Sequence, residues 1–186
     1  MLARHPGYNL AMAQSIYFVG LMAVGKTSVG KHLAASLGRD FFDSDQVIEE
    51  RAGVPIAWIF DVEGERAFRD REQAVIDELT GKESIVLATG GGAVLRPANR
   101  RALRGRGCAV HLYSPIDRLL ERAGKDKRRP LLQQGDPRET LEQLWHERKP
   151  LYDEVADYRF LTAGQGARAL AEDVERILRS EGVIRD

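Results

Sequence analysis

The sequence predicts an α/β fold of three layers, a five-stranded parallel sheet with helices on both faces. Three observations predict it. Five short apolar runs alternate with helical or polar segments, the first run leads straight into a glycine-rich loop, and 186 residues suit one core. Apolar side chains make up 43% and charged ones 30%, a globular balance far from that of a disordered chain.

The elements follow in order. Ser15 to Val19 is an apolar run that stops at Gly20. From Gly25, the positions Val29, Leu33 and Leu37 recur at helical spacing before Gly38. The alternation returns with a strand at Phe41 to Asp43, a helix from about Gln46, a long helix from about Glu65 to Leu79 and a strand at Ser84 to Ala88. Strands at Ala109 to Tyr113 and Tyr158 to Leu161 complete the five, and a helix at about Arg168 to Ser180 closes the domain, taken as 15–186. Ligands of such sheets sit beyond the carboxyl ends of the strands. Gly124 to Pro137, glycine-bearing and basic in the middle, is read as an insertion. Residues 1–14, broken by Pro6 and Gly7, are read as a short extension with neither a signal-peptide core nor a membrane span.

Charge and cysteine content narrow the function. The 28 basic and 28 acidic side chains cancel, so no overall field points to nucleic acid or an anionic membrane, and any polyanion site must be local. Cys108 is the only cysteine, which rules out a disulfide framework or a cysteine-based zinc cluster and suits a reducing cytoplasm. We expect a cytoplasmic monomer with small-molecule partners, no nucleic acid and no membrane.

Gly20 to Thr27 reads GLMAVGKT, the pattern of a phosphate-binding loop, or P-loop, and it has the required strand before it and helix after it. Glycines let backbone N–H groups converge on phosphate oxygens at the positive end of a helix dipole. Lys26 adds a full charge for the terminal phosphates, and the Thr27 hydroxyl is a hard oxygen ligand for Mg²⁺ beside them. Nucleotide contacts are therefore expected from Gly20, Ala23, Val24, Gly25, Lys26, Thr27 and Ser28. The competing reading is a glycine-rich turn that only caps a helix.

Asp43 and Asp45 stand two apart at the end of the second strand. If extended geometry persists there, both carboxylates face the nucleotide cleft with Ser44 opposite. A kinase needs one acidic group for metal or its waters, here Asp43, and another to orient the acceptor hydroxyl, here Asp45. The alternative is that Ser44 or Asp45 simply caps the next helix. Arg69 and Glu72 lie one helical turn apart, a pair that taken alone reads as a solvated face. Gly90, Gly91 and Gly92 directly follow a buried-looking strand, which points to close backbone approach to a ligand.

With these residues in place the chain resembles the shikimate kinases over about Ile16 to Ile177. The P-loop, the Asp43-Ser44-Asp45 triplet, Arg69 with Glu72, the triple glycine, Arg129-Pro130-Leu131-Leu132 and Arg148-Lys149-Pro150-Leu151-Tyr152 occur in family order. The resemblance implies a nucleoside-monophosphate-kinase-like P-loop fold with a mobile lid at about 123–137 and an acceptor-binding region at about 45–80. It also implies ATP-dependent phosphorylation of shikimate at carbon 3, with Mg²⁺. Asp45, Arg69, Gly91 and Arg148 would bind the acceptor, with Gly90 and Gly92 shaping that wall and Glu72 holding Arg69. Two arginines match the acceptor carboxylate and an aspartate its hydroxyl. Phe60 and Phe68 correspond to an apolar wall, or equally to core packing. Arg129 would reach the transferred phosphate as a catalytic residue with Lys26 and Asp45. Arg122 would stack on adenine, with Ala163 to Gly166 closing over the base.

Lys125, Lys127 and Arg128 read as solvated charges; a nucleic-acid patch would call for interleaved aromatics, which this cluster lacks. Ala23 and Val24 depart from the family loop, Val24 by its bulk. His5, His32, His111 and His146 match no catalytic motif. Two rivals remain: a kinase for another small polyol or acid such as gluconate, and a non-catalytic nucleotide-binding regulatory module. The pair Arg69 and Arg148 argues against the first, and intact Lys26, Asp45 and Arg129 against the second.

Overall fold

The central strand carries the most buried run of the chain: Ile16 to Val19 are fully buried. In the computed structural model, which describes residues 15–123, 136–162 and 164–184, this run is β1 (Ile16–Val19), followed by α1 (Lys26–Leu37), β2 (Asp40–Asp43), α2 (Ser44–Ala52) and a short α3 (Ile56–Trp58). A π-helical turn, Ile59–Glu63, then leads into α4 (Gly64–Thr80), β3 (Ile85–Ala88), a 3₁₀ turn at Ala93–Leu95 and α5 (Pro97–Arg106). The order ends with β4 (Cys108–Tyr113), α6 (Ile116–Ala123), α7 (Pro137–Val155), β5 (Tyr158–Leu161) and α8 (Ala167–Ser180). The extension 1–14, most of the expected lid including Arg129, and Ala163 lie outside the described residues.

The sheet order is β2-β3-β1-β4-β5, and every pairing is parallel, with Ile16 opposite Val86 on one side and Cys108 on the other. After β1 the chain goes to the edge strand β2, returns with β3 between β2 and β1, then crosses to β4 on the other side. The loop that follows β1 therefore opens at the point where strand order reverses, the place where such sheets bind ligands. Helices cover both faces, so β1, β3 and β4 read as continuous apolar runs with no alternation. Each large aliphatic side chain buried this way contributes about 1.5–3 kcal/mol.

All five strands fall within one residue of their expected bounds. Two local expectations need correction, and two features were not read from the sequence. The helix expected from Gln46 begins at Ser44, because Asp43 caps it. The segment Ile56–Glu63 was not foreseen; its apolar residues lack a helical period, and it folds as a short helix and a π turn. The insertion expected to run to Pro137 stops at Asp136, whose side chain accepts from the Arg138 N–H and caps α7, with Pro137 in the first turn where its missing N–H costs nothing. Pro150 lies inside α7 and does not end it. Among the described residues no helix is long and apolar enough to cross a membrane.

Candidate active site

The loop after β1 is shaped by backbone that only small residues tolerate. Gly20 has φ 140°, and a Cβ there would run into the Leu112 carbonyl oxygen. Ala23 (φ 61°) and Gly25 (φ 103°) then curl the chain into α1. Lys26 is buried, and its Nζ donates to the carbonyls of Gly20 (2.7 Å) and Leu21 (2.8 Å). Val24 is 1% exposed and packs into the core, while it also borders the cavity at the loop. Its carbonyl accepts from Arg122 Nη1 at 3.2 Å, and the same guanidinium reaches Thr162 Oγ1 (3.2 Å) and the Thr162 carbonyl (3.0 Å). Arg122 thus ties the phosphate loop to the segment after β5. A cavity of about 660 Å³ opens here, lined on one side by the loop, Ser28 and Arg122, on another by Gln165 to Ala167, and deeper in by Asp43, Asp45, Thr89 and Gly91.

The two aspartates meet in that cavity, though not as an extended pair. β2 ends at Asp43, and Asp45 already lies in the first turn of α2. Asp43 divides its carboxylate: Oδ1 accepts from the Asp45 and Gln46 N–H groups, and Oδ2 accepts from Thr27 Oγ1 at 2.7 Å. The cap is therefore Asp43, and not Ser44 or Asp45. Ser44 is fully buried and accepts from the Gly90 N–H at 2.9 Å, fastening α2 to the triple glycine. Thr27 and Asp43 are adjacent hard oxygen donors, and among the described residues no group of three acidic, histidine or cysteine side chains could hold a metal. That donor set fits Mg²⁺, which keeps most of its shell for water and phosphate.

Asp45 Oδ1 is buried without a hydrogen-bond partner among the described residues. Burial, then Asp43 and Glu72, push its pKa up to about 7, while Lys26 pulls the other way. Such a carboxyl suits a hydroxyl ligand.

Beyond it lies a cluster of arginines. Arg69 Nη1 donates to Glu72 Oε2 at 2.7 Å, and its other nitrogens reach Glu65 Oε1. Phe60 and Phe68 stack with ring centroids 4.6 Å apart, and the Arg69 guanidinium lies 5.0 Å from the Phe68 ring. The π turn delivers Phe60 to this contact. Glu72 is buried, which raises its pKa although Arg69, Arg148 and Arg96 all oppose the rise. The pair whose spacing alone reads as a solvated face is thus enclosed, Glu72 fully and Arg69 with its side chain 11% exposed. Arg148 on α7 is 6% exposed, and its Nε has no partner.

The glycines are explained by these side chains. A Cβ on Gly90 would strike Asp45 Oδ1, and one on Gly92 would sit 2.5 Å from Arg69 Nη1. Gly91 lies against the phosphate-loop backbone, at Met22 N. The sequence pointed to close approach to a ligand; the neighbours seen are site side chains at Gly90 and Gly92 and the phosphate-loop backbone at Gly91.

Sequence reasoning passed over Tyr152 and His111. Tyr152 donates to the Gly91 carbonyl at 2.5 Å; its spacing of four from Arg148 on one helix was the available signal. His111 is buried beneath Gly20 and stacks on Tyr152 at 4.9 Å, with both ring nitrogens lacking hydrogen-bond partners.

With this geometry, comparison with known proteins is specific. The family model described as shikimate kinase matches residues 22–179. A shikimate kinase of Vibrio parahaemolyticus is 51% identical over 169 residues, 91% of this chain and 98% of that protein. The solved structure of a shikimate kinase from Acinetobacter baumannii in complex with shikimate superposes with a TM-score of 0.88 at 48% identity, covering 91% of this chain and 94% of that one. A gluconokinase from Sinorhizobium meliloti reaches a TM-score of 0.51 at 18% identity, a likeness of fold alone.

Proposed function

The chain belongs to the shikimate kinase family, and from that membership we propose that it moves the terminal phosphoryl group of ATP to the carbon-3 hydroxyl of shikimate. One observation carries the assignment to this cleft: Lys26, Thr27 and Asp43 line the same cavity as Asp45 and Gly91, so donor and acceptor groups share one space.

The division of labour follows from the residues. Backbone N–H groups of the loop take the phosphates at the start of α1, and Lys26 exchanges its two loop carbonyls for phosphate oxygen. Mg²⁺, held at Thr27 and Asp43, supplies positive charge to the phosphates when bound. Arg122 borders the space assigned to adenine. Arg69 and Arg148 take the acceptor carboxylate, and Asp45 accepts from the acceptor hydroxyl with Gly90, Gly91 and Gly92 behind it. The hydroxyl oxygen then bonds to the terminal phosphorus as the bond to ADP breaks, and the hydroxyl proton passes to Asp45. Because the transition state is loose, Asp45 contributes more by orientation than by basicity. Arg129 is assigned to the transferring phosphate from its sequence motif alone, together with a lid at about 123–137. The acceptor region is assigned to about 45–80.

The free, buried Cys108 and the balanced charge support a cytoplasmic monomer that engages only small molecules. The test of the function is an acceptor screen with ATP and Mg²⁺ that follows ADP release. Turnover with shikimate well above that with gluconate or with no acceptor is expected; turnover confined to gluconate would replace the assignment.

A further inference from the structure

Tyr152 is fully buried on α7, and its hydroxyl stands between two acceptor contacts. It donates to the Gly91 carbonyl at 2.5 Å, across 61 positions of sequence, and the Arg148 guanidinium one turn earlier on α7 interacts with the same hydroxyl. Burial pushes the Tyr152 pKa up, so it remains a donor. Gly91 in turn lies on the phosphate loop, where a Cβ would meet Met22 N at 3.2 Å and the Gly20 carbonyl at 3.6 Å. The Tyr152 ring packs on His111, centroids 4.9 Å apart, and the His111 ring lies under Gly20. Donor loop, acceptor glycine and acceptor arginine therefore converge on a single side chain.

We propose that the Tyr152 hydroxyl is a positioning group for the reaction. It fixes the spacing between Gly91 and Arg148, and through Gly91 it holds the acceptor side in register with the phosphate loop. This rests on the assignment of Gly91 and Arg148 to shikimate. Phosphoryl transfer is sensitive to such register, since catalysis here is mostly alignment. The hydroxyl touches no reacting atom; it acts through the two groups it joins, and Arg148 Nε has no hydrogen-bond partner among the described residues.

Tyr152→Phe removes the hydroxyl and keeps the ring on His111. The expected result is a loss of about 10-fold or more in kcat/KM for shikimate, with ATP affinity within about twofold of wild type. Combined with Arg148→Lys, the loss should be smaller than the product of the two single losses, because the hydroxyl acts partly through that arginine. Titrations of each ligand well below both melting midpoints keep lost stability from standing in for lost affinity. Unchanged kcat/KM for shikimate overturns the proposal, as does an equal loss of ATP and shikimate affinity. The wild-type control separates the levels: a wild type inactive on shikimate overturns the functional assignment beneath the proposal, whereas an active wild type with an unimpaired Tyr152→Phe overturns the proposal alone.

Discussion

Thr27 donates from Oγ1 to Asp43 Oδ2 over 2.7 Å, joining the first turn of α1 to the end of β2 on the floor of the cleft. Because Asp43 Oδ1 is occupied as the cap of α2, the two oxygens of one carboxylate serve structure and site separately. Asp43→Asn keeps an oxygen for the cap and removes the charge. Turnover measured against Mg²⁺ at fixed ATP should need about 10-fold more metal for half-saturation, with stability changed by about 0.5 kcal/mol or less. An unchanged metal requirement would remove Asp43 from the metal site.

Arg148 gives the sharpest test of the acceptor pocket. It is buried beside Glu72 and Tyr152 and does not line the cavity at the phosphate loop. Arg148→Ala should cost about 2–4 kcal/mol of shikimate binding while ATP affinity stays near wild type. Arg148→Lys should not restore full activity, since a point charge lacks the planar fork that matches a carboxylate. Calorimetric titration of each ligand into each variant decides it; lost ATP binding with shikimate binding intact would move Arg148 to the other pocket.

Gly92→Ala separates fold from function. Gly92 has φ −95°, which any residue adopts, so the only obstacle is the Arg69 guanidinium at 2.5–2.8 Å from the added Cβ. A flexible side-chain end moves aside cheaply, so stability should fall by about 1 kcal/mol or less. The displaced guanidinium should raise KM for shikimate by about 10-fold or more. Thermal melting beside steady-state kinetics checks both, and a large melting loss with normal KM would contradict the account.

His111 predicts an acid-side loss of stability. Burial, opposed by Asp153 at 3.9 Å and aided by Arg159, Lys26 and Lys149, lowers its pKa from 6.5 to about 4. The unfolded chain takes up a proton at His111 below pH 6.5 and the folded one only below about 4, so stability falls as pH drops through that window. The whole loss is at most about 3 kcal/mol. Denaturant unfolding at several pH values should show a flatter pH dependence for His111→Phe, whatever its absolute stability; an equally steep one would assign the acid sensitivity elsewhere.

The strands and the phosphate loop were legible because apolar runs bounded by glycine, and a loop with fixed spacing, are local signals. The acceptor side was legible as residues but not as geometry. Ser44 and Asp45 were the caps the sequence offered, yet Asp43 takes the role, while Ser44 bonds to Gly90, 46 positions away. The motif that holds Pro150 carried no sign that it lies inside a helix of 19 residues. The Arg69–Glu72 pair looked solvated because sequence spacing cannot report that α4 presents it to the interior. Tyr152 sits beside a recognised arginine, but its partner Gly91 is distant in sequence and could not be read from either position.

Transfer of phosphate from ATP to one hydroxyl of shikimate in this cleft can be followed by phosphorus NMR of the chain with ATP, Mg²⁺ and shikimate. A new phosphomonoester signal coupled to the proton on carbon 3 of shikimate should grow in step with ADP. A signal from inorganic phosphate alone, or ATP left intact, would overturn the assignment.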